Sequence, residues 1–185
     1  MNVHLLAENK DLNFKLYRSQ LIVERQQEFV REINYALEIF QKEFPEKDST
    51  WFYRFYNVFC LTSASRIFYD LLVELKAVIR DYAGHNNPLW LQAWINYHQP
   101  NQLLDWHDHA WSFHGYISID PKQSTTLFDQ YKINNEVGNI YIGPGNRRHK
   151  VETSVQFDTP RITIGFDVLD HPGPGVTGQF SLMPI

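Results

Sequence analysis

Near residue 83 the spacing of apolar residues changes from a helical period to an alternating one. That switch restricts the chain to folds in which helices come first and strands follow. Residues 21–44 carry Phe29, Ile33, Leu37, Phe40 and Phe44 at spacings of three and four, with charged residues between them. This predicts an amphipathic helix ending before Pro45. A second helix is predicted over 63–82, burying Ile67, Leu71, Leu75 and Val78 and stopping at Gly84. Between the two, Trp51 to Leu61 is aromatic-rich and alternating, and reads as an extra strand on the main sheet, with a homodimer contact as the alternative. After residue 88 the chain is β-rich, with turns expected at Pro100-Asn101, Asp120-Pro121, Asn134-Asn135 and Gly143-Pro144-Gly145. Strands are expected over Ser112–Ile119, after Gly138, and over Arg161–Leu169.

Residues 1–185 therefore read as a single domain. Residues 1–83 form a helical N-terminal support, 84–169 a β core, and 170–185, with Pro172, Gly173, Pro174 and Gly175, a loosely held tail. A hydrophobic content of 43% is enough to build one substantial core. The net charge of −4 comes without a Lys/Arg stripe, so neither nucleic acid nor a membrane surface is expected as a partner. No leader or membrane-spanning run stands out. The single cysteine, Cys60, rules out an intramolecular disulfide or thiolate cluster and fits a reducing, cytoplasmic setting.

Within the β-rich part lie His107, Asp108 and His109, then His149 and Arg161. Side chains two apart on a strand point to the same face, with Cα atoms roughly 7 Å apart, so His107 and His109 can reach one metal ion while Asp108 faces away. His149, just past a Gly-Pro-Gly turn, is the best candidate for a third ligand. Arg161 heads an apolar strand, on the face shared with Thr163 and Gly165. An inward guanidinium stays charged and needs an anion, and a carboxylate matches its planar donors. By the same alternation His114, Tyr116 and Ser118 share a face. Trp94, Trp106 and Trp111 are candidates for core or for a pocket wall, with core favoured for Trp94.

Over about residues 90–169 these pieces together, Trp94-x-Asn96, a turn, His107-x-His109, a Gly115-Tyr116 strand, a distal His149 and Arg161-x-Thr163, resemble the iron(II)- and 2-oxoglutarate-dependent oxygenases. The resemblance implies a mainly β fold with helices (α+β): a double-stranded β-helix, the jelly-roll barrel also used by cupins, buttressed by the N-terminal helices. It implies His107, His109 and His149 as ligands to iron(II), and Arg161 and Thr163 as partners of the distal carboxylate of the cosubstrate 2-oxoglutarate. Asn96 and Tyr97 become candidates for further cosubstrate contacts. The resemblance also puts the face carrying His114 and Tyr116 inside the barrel, where His114 orients the cosubstrate or a ligand, or simply fills the interior. Molecular oxygen and a small-molecule or peptidyl substrate are the implied reactants.

One position departs from the commoner pattern of two histidines and one carboxylate, because His109 stands where the carboxylate would be. Three neutral imidazoles raise the charge of the centre by one unit and also suit zinc. Asp108 could replace a histidine only through a bulge that turned it inward. Gly138, Pro144 and His149 also resemble the second cupin motif, although Phe113 and His114 stand where a cupin glutamate is usual. A cupin-type dioxygenase or isomerase, or a non-catalytic binding barrel, is therefore the alternative.

Overall fold

A computed structural model of the chain describes residues 2–45, 56–100, 104–153, 155–171 and 181–185. Its centre is β9 (Arg161–Leu169), a strand buried at every position. β9 pairs with β3 (Trp90–His98) on one side and β4 (Phe113–Asp120) on the other. Outward from β4 come β7 (Asn139–Pro144), β2 (Phe14–Ser19) and β1 (Val3–Asn9), while β10 (Met183–Pro184) closes the β3 edge. All of these pairs are antiparallel. A second sheet of three strands has the order β6 (Lys132–Asn134), β5 (Ser124–Phe128), β8 (His149–Thr153).

Period-two alternation along β9 sorts its side chains into two chemistries. Ile162, Ile164, Phe166 and Val168 join Leu91, Ala93 and Ile95 of β3 and Ile117 and Ile119 of β4 in one apolar core. The helices α1 (Gln20–Glu43) and α3 (Arg66–Ala83) complete that core with Phe29, Ile33, Leu37, Ile67, Leu71, Leu75 and Val78. The opposite face carries Arg161, Thr163, Gly165 and Asp167, which line a cavity together with Thr126 of β5 and His149 and Val151 of β8. Two antiparallel sheets around a cavity, with helices on the outer face of one, make the jelly-roll-like architecture expected from the sequence.

Local chemistry accounts for the helix ends. The Ser19 hydroxyl accepts the Ile22 N–H and donates to the buried Glu74 carboxylate of α3 at 2.6 Å, so one N-cap also joins the two helices. α3 stops at Gly84, whose φ of 71° suits a residue without Cβ. No helix among the described residues is long and apolar enough to cross a membrane.

Four details differ from the sequence expectation. Residues 1–83 are not purely helical: β1 and β2 form a hairpin, and β2 extends the main sheet through β7. The outer strand β1 is largely exposed on both faces, so it carries no alternating apolar signal. Of the expected strand over Trp51–Leu61, the part from Val58 to Leu61 is instead a short helix, α2, capped by Asn57; residues 51–55 lie outside those described. Phe44 is the helix C-cap and is exposed, one turn beyond the buried stripe. The end of the expected loose tail is tied down, because β10 pairs with β3 and the Ile185 N–H donates to the Leu89 carbonyl. Leu71 is fully buried between helix and sheet, so Leu71→Ala should cost about 2–5 kcal/mol of unfolding free energy, read from urea denaturation.

Candidate metal and cosubstrate site

The cavity between the two sheets has a volume of about 640 Å³. Strand register builds its floor row by row: Gln92, Asp167 and His114 lie side by side, then Trp94, Gly165 and Tyr116, then Asn96, Thr163 and Ser118. The Trp94 indole lies against Gly165, where a Cβ would meet the ring at 2.6 Å. Trp94 is thus buried, yet it also walls the cavity.

His107 and His149 meet through the backbone. Each donates its N–H to the other's carbonyl, at 2.9 and 2.8 Å, in an isolated antiparallel bridge. His109 is placed by its N–H to the Gly145 carbonyl at 3.0 Å, and the Gly145 N–H returns to the Ser112 carbonyl. Segment 107–112 is therefore fastened to the turn that delivers His149, although it is not the regular strand the sequence suggested. Gly145 is required for this approach, since a Cβ there would collide with the Trp111 carbonyl oxygen. Asp108 is exposed at the cavity rim and belongs to no cluster of ligating atoms.

His107, His109 and His149 each offer a ring nitrogen, all within 4.8 Å of one another. His107 Nδ1 donates to the Asp105 carbonyl at 2.6 Å, and His149 Nδ1 donates to the Arg147 carbonyl at 3.0 Å. A carbonyl can only accept, so both rings carry hydrogen on Nδ1 and keep a lone pair on Nε2. His109 Nδ1 points to the Asp167 carboxylate at 3.2 Å, and its buried Nε2 has no hydrogen-bond partner among the described residues. A buried nitrogen without a partner is costly unless a ligand takes it. Burial pushes the His149 imidazole down to about 2, helped by His114 and His107, and it lowers His107 as well. All of this favours the neutral, ligating form. The three residues thus fit a divalent metal ion, with imidazole donors that suit iron or zinc.

A second group, His109, His114 and Asp167, is equally tight. Here, however, the donors already satisfy one another, because His114 Nδ1 also donates to Asp167, at 2.9 Å. Burial drives His114 down to about 4, with further lowering by His109. Burial raises the Asp167 carboxyl, but hydrogen bonds from His109 and His114 outweigh it and hold the group below its ordinary range.

Across the cavity, Arg161 is 3% exposed. Its Nε donates to the Ser124 hydroxyl at 3.1 Å and its Nη1 to His98 Nδ1 at 3.2 Å. Burial lowers the guanidinium to about 10, partly offset by Tyr116, so it is charged at neutral pH. No carboxylate among the described residues pairs with it. The Tyr116 hydroxyl is buried beside Thr126 and Arg161 without a well-formed hydrogen bond, and the Ser118 hydroxyl is likewise unpartnered. Asn96 donates to the Thr163 hydroxyl at 3.3 Å and accepts from the Trp94 indole.

Of the residues singled out in the sequence, His107, His109, His149, Arg161, Thr163, Asn96, Tyr116 and His114 all line this cavity. Tyr97 does not. It follows Asn96 on β3, so alternation turns it to the opposite face, where it packs on the apolar core, and its expected role as a cosubstrate contact is corrected. Asp167, His98 and Ser124 escaped the sequence reading. Continuing the 161, 163, 165 alternation by one step reaches Asp167, whereas His98 and Ser124 have no motif: His98 is found through its strand register with Arg161 and Ser124 through its hydrogen bond to the guanidinium across the two sheets.

No protein-family model and no curated protein matches the sequence. Among solved structures, the chain is similar to an oxidoreductase of the 2OG-Fe(II) oxygenase family from Burkholderia pseudomallei, at 16% identity and a TM-score of 0.43, over 51% of this chain and 52% of that one. It is also similar to the non-heme alpha-ketoglutarate-dependent epimerase SnoN from nogalamycin biosynthesis, at 13% identity and a TM-score of 0.43, over 58% and 57% of the two chains. A cupin-2 domain-containing protein from Shewanella frigidimarina is similar at 17% identity and a TM-score of 0.34, over 45% and 72%. The chain thus spans little more than half the length of the two oxygenase-type proteins. None of these likenesses assigns a residue or a reaction to it.

Gly145→Ala should displace His109 from His107 and His149. The expected result is a roughly tenfold or greater loss of cobalt(II) affinity in calorimetric titration, comparable to the loss of a group that supports a metal ligand. Unaltered affinity would show that the turn does not set the spacing of the histidines.

Proposed function

We propose that the chain is an iron(II)- and 2-oxoglutarate-dependent oxygenase. The observation that carries this reading is the buried positive charge of Arg161, without a protein carboxylate among the described residues, in the same cavity as three imidazoles that keep their lone pairs free. A buried guanidinium without an anion is unfavourable, and a dicarboxylate cosubstrate supplies one. His107, His109 and His149 would hold the metal. Iron(II), when bound, supplies the redox chemistry by which 2-oxoglutarate, molecular oxygen and a C–H substrate give succinate, carbon dioxide and the hydroxylated product.

The chain's own residues would place the reactants. Ser124 and His98 fix the guanidinium plane by holding Nε and Nη1, leaving its other N–H groups to grip the distal carboxylate of the cosubstrate. Thr163 and Tyr116 flank that grip, and Asn96 orients the Thr163 hydroxyl. Trp94, Trp106 and Trp111 give the cavity apolar walls that exclude water beside the metal ligands and accept a small-molecule or peptidyl substrate. A reducing compartment such as the cytosol suits both the ferrous ion and a chain with one cysteine.

The cupin-type alternative shares the His107-x-His109 pair and the distal His149, but with no carboxylate among the proposed ligands the usual cupin glutamate is missing. A single experiment separates the readings. Without oxygen, iron(II) and 2-oxoglutarate should together give a visible metal-to-ligand charge-transfer band. A cupin that does not use the cosubstrate, or a non-catalytic barrel, gives none. His149→Ala should abolish the band. Arg161→Ala should raise the 2-oxoglutarate concentration for half-saturation roughly thirtyfold or more, as expected when a buried charge partner worth at least about 2 kcal/mol is lost. Equal half-saturation in Arg161→Ala would refute the role given to the guanidinium.

A further inference from the structure

We propose that Asp167 is the positioning carboxylate of the metal centre: it acts through His109 to supply, one bond removed, the negative charge that the ligand set lacks. The proposal rests on the reading of His107, His109 and His149 as metal ligands. Asp167 is 1% exposed and sits on β9, an interior strand of the main sheet. Its carboxylate serves two imidazoles: His109 Nδ1 lies 3.1 Å from Oδ1 and 3.2 Å from Oδ2, and His114 Nδ1 lies 2.9 Å from Oδ1. Among the described residues, no lysine or arginine pairs with it. Two imidazole N–H donors therefore hold this buried anion in place.

The consequence for His109 is specific. A carboxylate accepts hydrogen bonds, so His109 must carry its hydrogen on Nδ1 and present a lone pair at Nε2, the buried atom without a partner. Hydrogen bonding to an anion also makes an imidazole a more basic donor and fixes its ring orientation. His107 and His149 have only carbonyl oxygens in the same position. Of the three ligands, only His109 stands on a full negative charge. It is also the ligand that replaces the usual carboxylate.

Hydrogen bonding assigns His114 to the support of Asp167, since its Nδ1–H is committed to that carboxylate at 2.9 Å. The His109 and His114 rings stack with centroids 3.6 Å apart and planes 13° from parallel. Both Nδ1–H groups reach the one carboxylate beside the stack.

The test uses the full chain and cobalt(II), followed by calorimetry and by the visible ligand-field spectrum. Asp167→Asn should weaken cobalt binding about 10- to 100-fold and shift the ligand-field bands, as for other groups that orient a ligating histidine. His114→Gln removes one of the two donors that hold Asp167 but leaves the carboxylate on His109, so it should weaken cobalt binding by less than Asp167→Asn does. Normal affinity in Asp167→Asn, or equal losses in both variants, overturns the proposal while leaving the metal site intact. Failure of the unmodified chain to bind cobalt overturns it together with the reading beneath it. Nitrogen NMR of the zinc-loaded, unmodified chain is independent of whether any variant folds. A downfield Nδ1 proton on His109 supports the proposal, and zinc on Nδ1 refutes it.

Discussion

Placing an arginine and an aspartate on the most buried strand of the molecule is the constraint around which the rest is organised. Arg161 and Asp167 lie at opposite ends of one face of β9, and neither has a counter-charge of the opposite sign in an ion pair with a lysine, arginine or carboxylate among the described residues. Isolated charges in such a place cost several kcal/mol each unless hydrogen bonds and ligands compensate. Neutral partners surround both: Ser124 and His98 for the guanidinium, His109 and His114 for the carboxylate. The opposite face of the same strand supplies the offset, through an apolar core shared with both long helices. Packing on one side of β9 thus stabilises a polar arrangement on the other that could not sustain itself.

The sheet converts this one-dimensional pattern into a site. Cross-strand register sets Asp167 beside His114 and Thr163 beside Asn96, so residues far apart in sequence arrive in rows. Two of the three clustered histidines are then coupled by backbone alone, through the His107–His149 bridge, and the third by the contact of its segment with Gly145. Such positioning depends on main-chain hydrogen bonds and on the close packing that a glycine at 145 allows.

Much of this was legible in the sequence because it depends on period. The two long helices, the β-rich half, the strand from Arg161 to Leu169 and the inward face of Arg161 and Thr163 all follow from spacing. What was missed depends on pairing. The β1–β2 hairpin carries little apolar alternation on its outer strand, and the 58–61 helix follows an Asn57 cap hidden in an aromatic run. The fixed end of the chain is held by partners in β3, nearly a hundred residues earlier. Tyr97 illustrates the same limit at the site, since one residue of register decides whether a side chain meets the cavity or the core. Asp167 was readable in principle, but its importance comes from two histidines on other segments.

The division between backbone-held imidazoles and side-chain walls has an evolutionary corollary. Asp105 and Asp108 contribute to the rim through exposed side chains, while the same segment's main chain keeps His107 and His109 in place. Mutation can therefore reshape the entrance, and with it what the cavity admits, while the three imidazoles stay where they are. A lineage built on this scaffold would be expected to vary its rim sooner than its histidines.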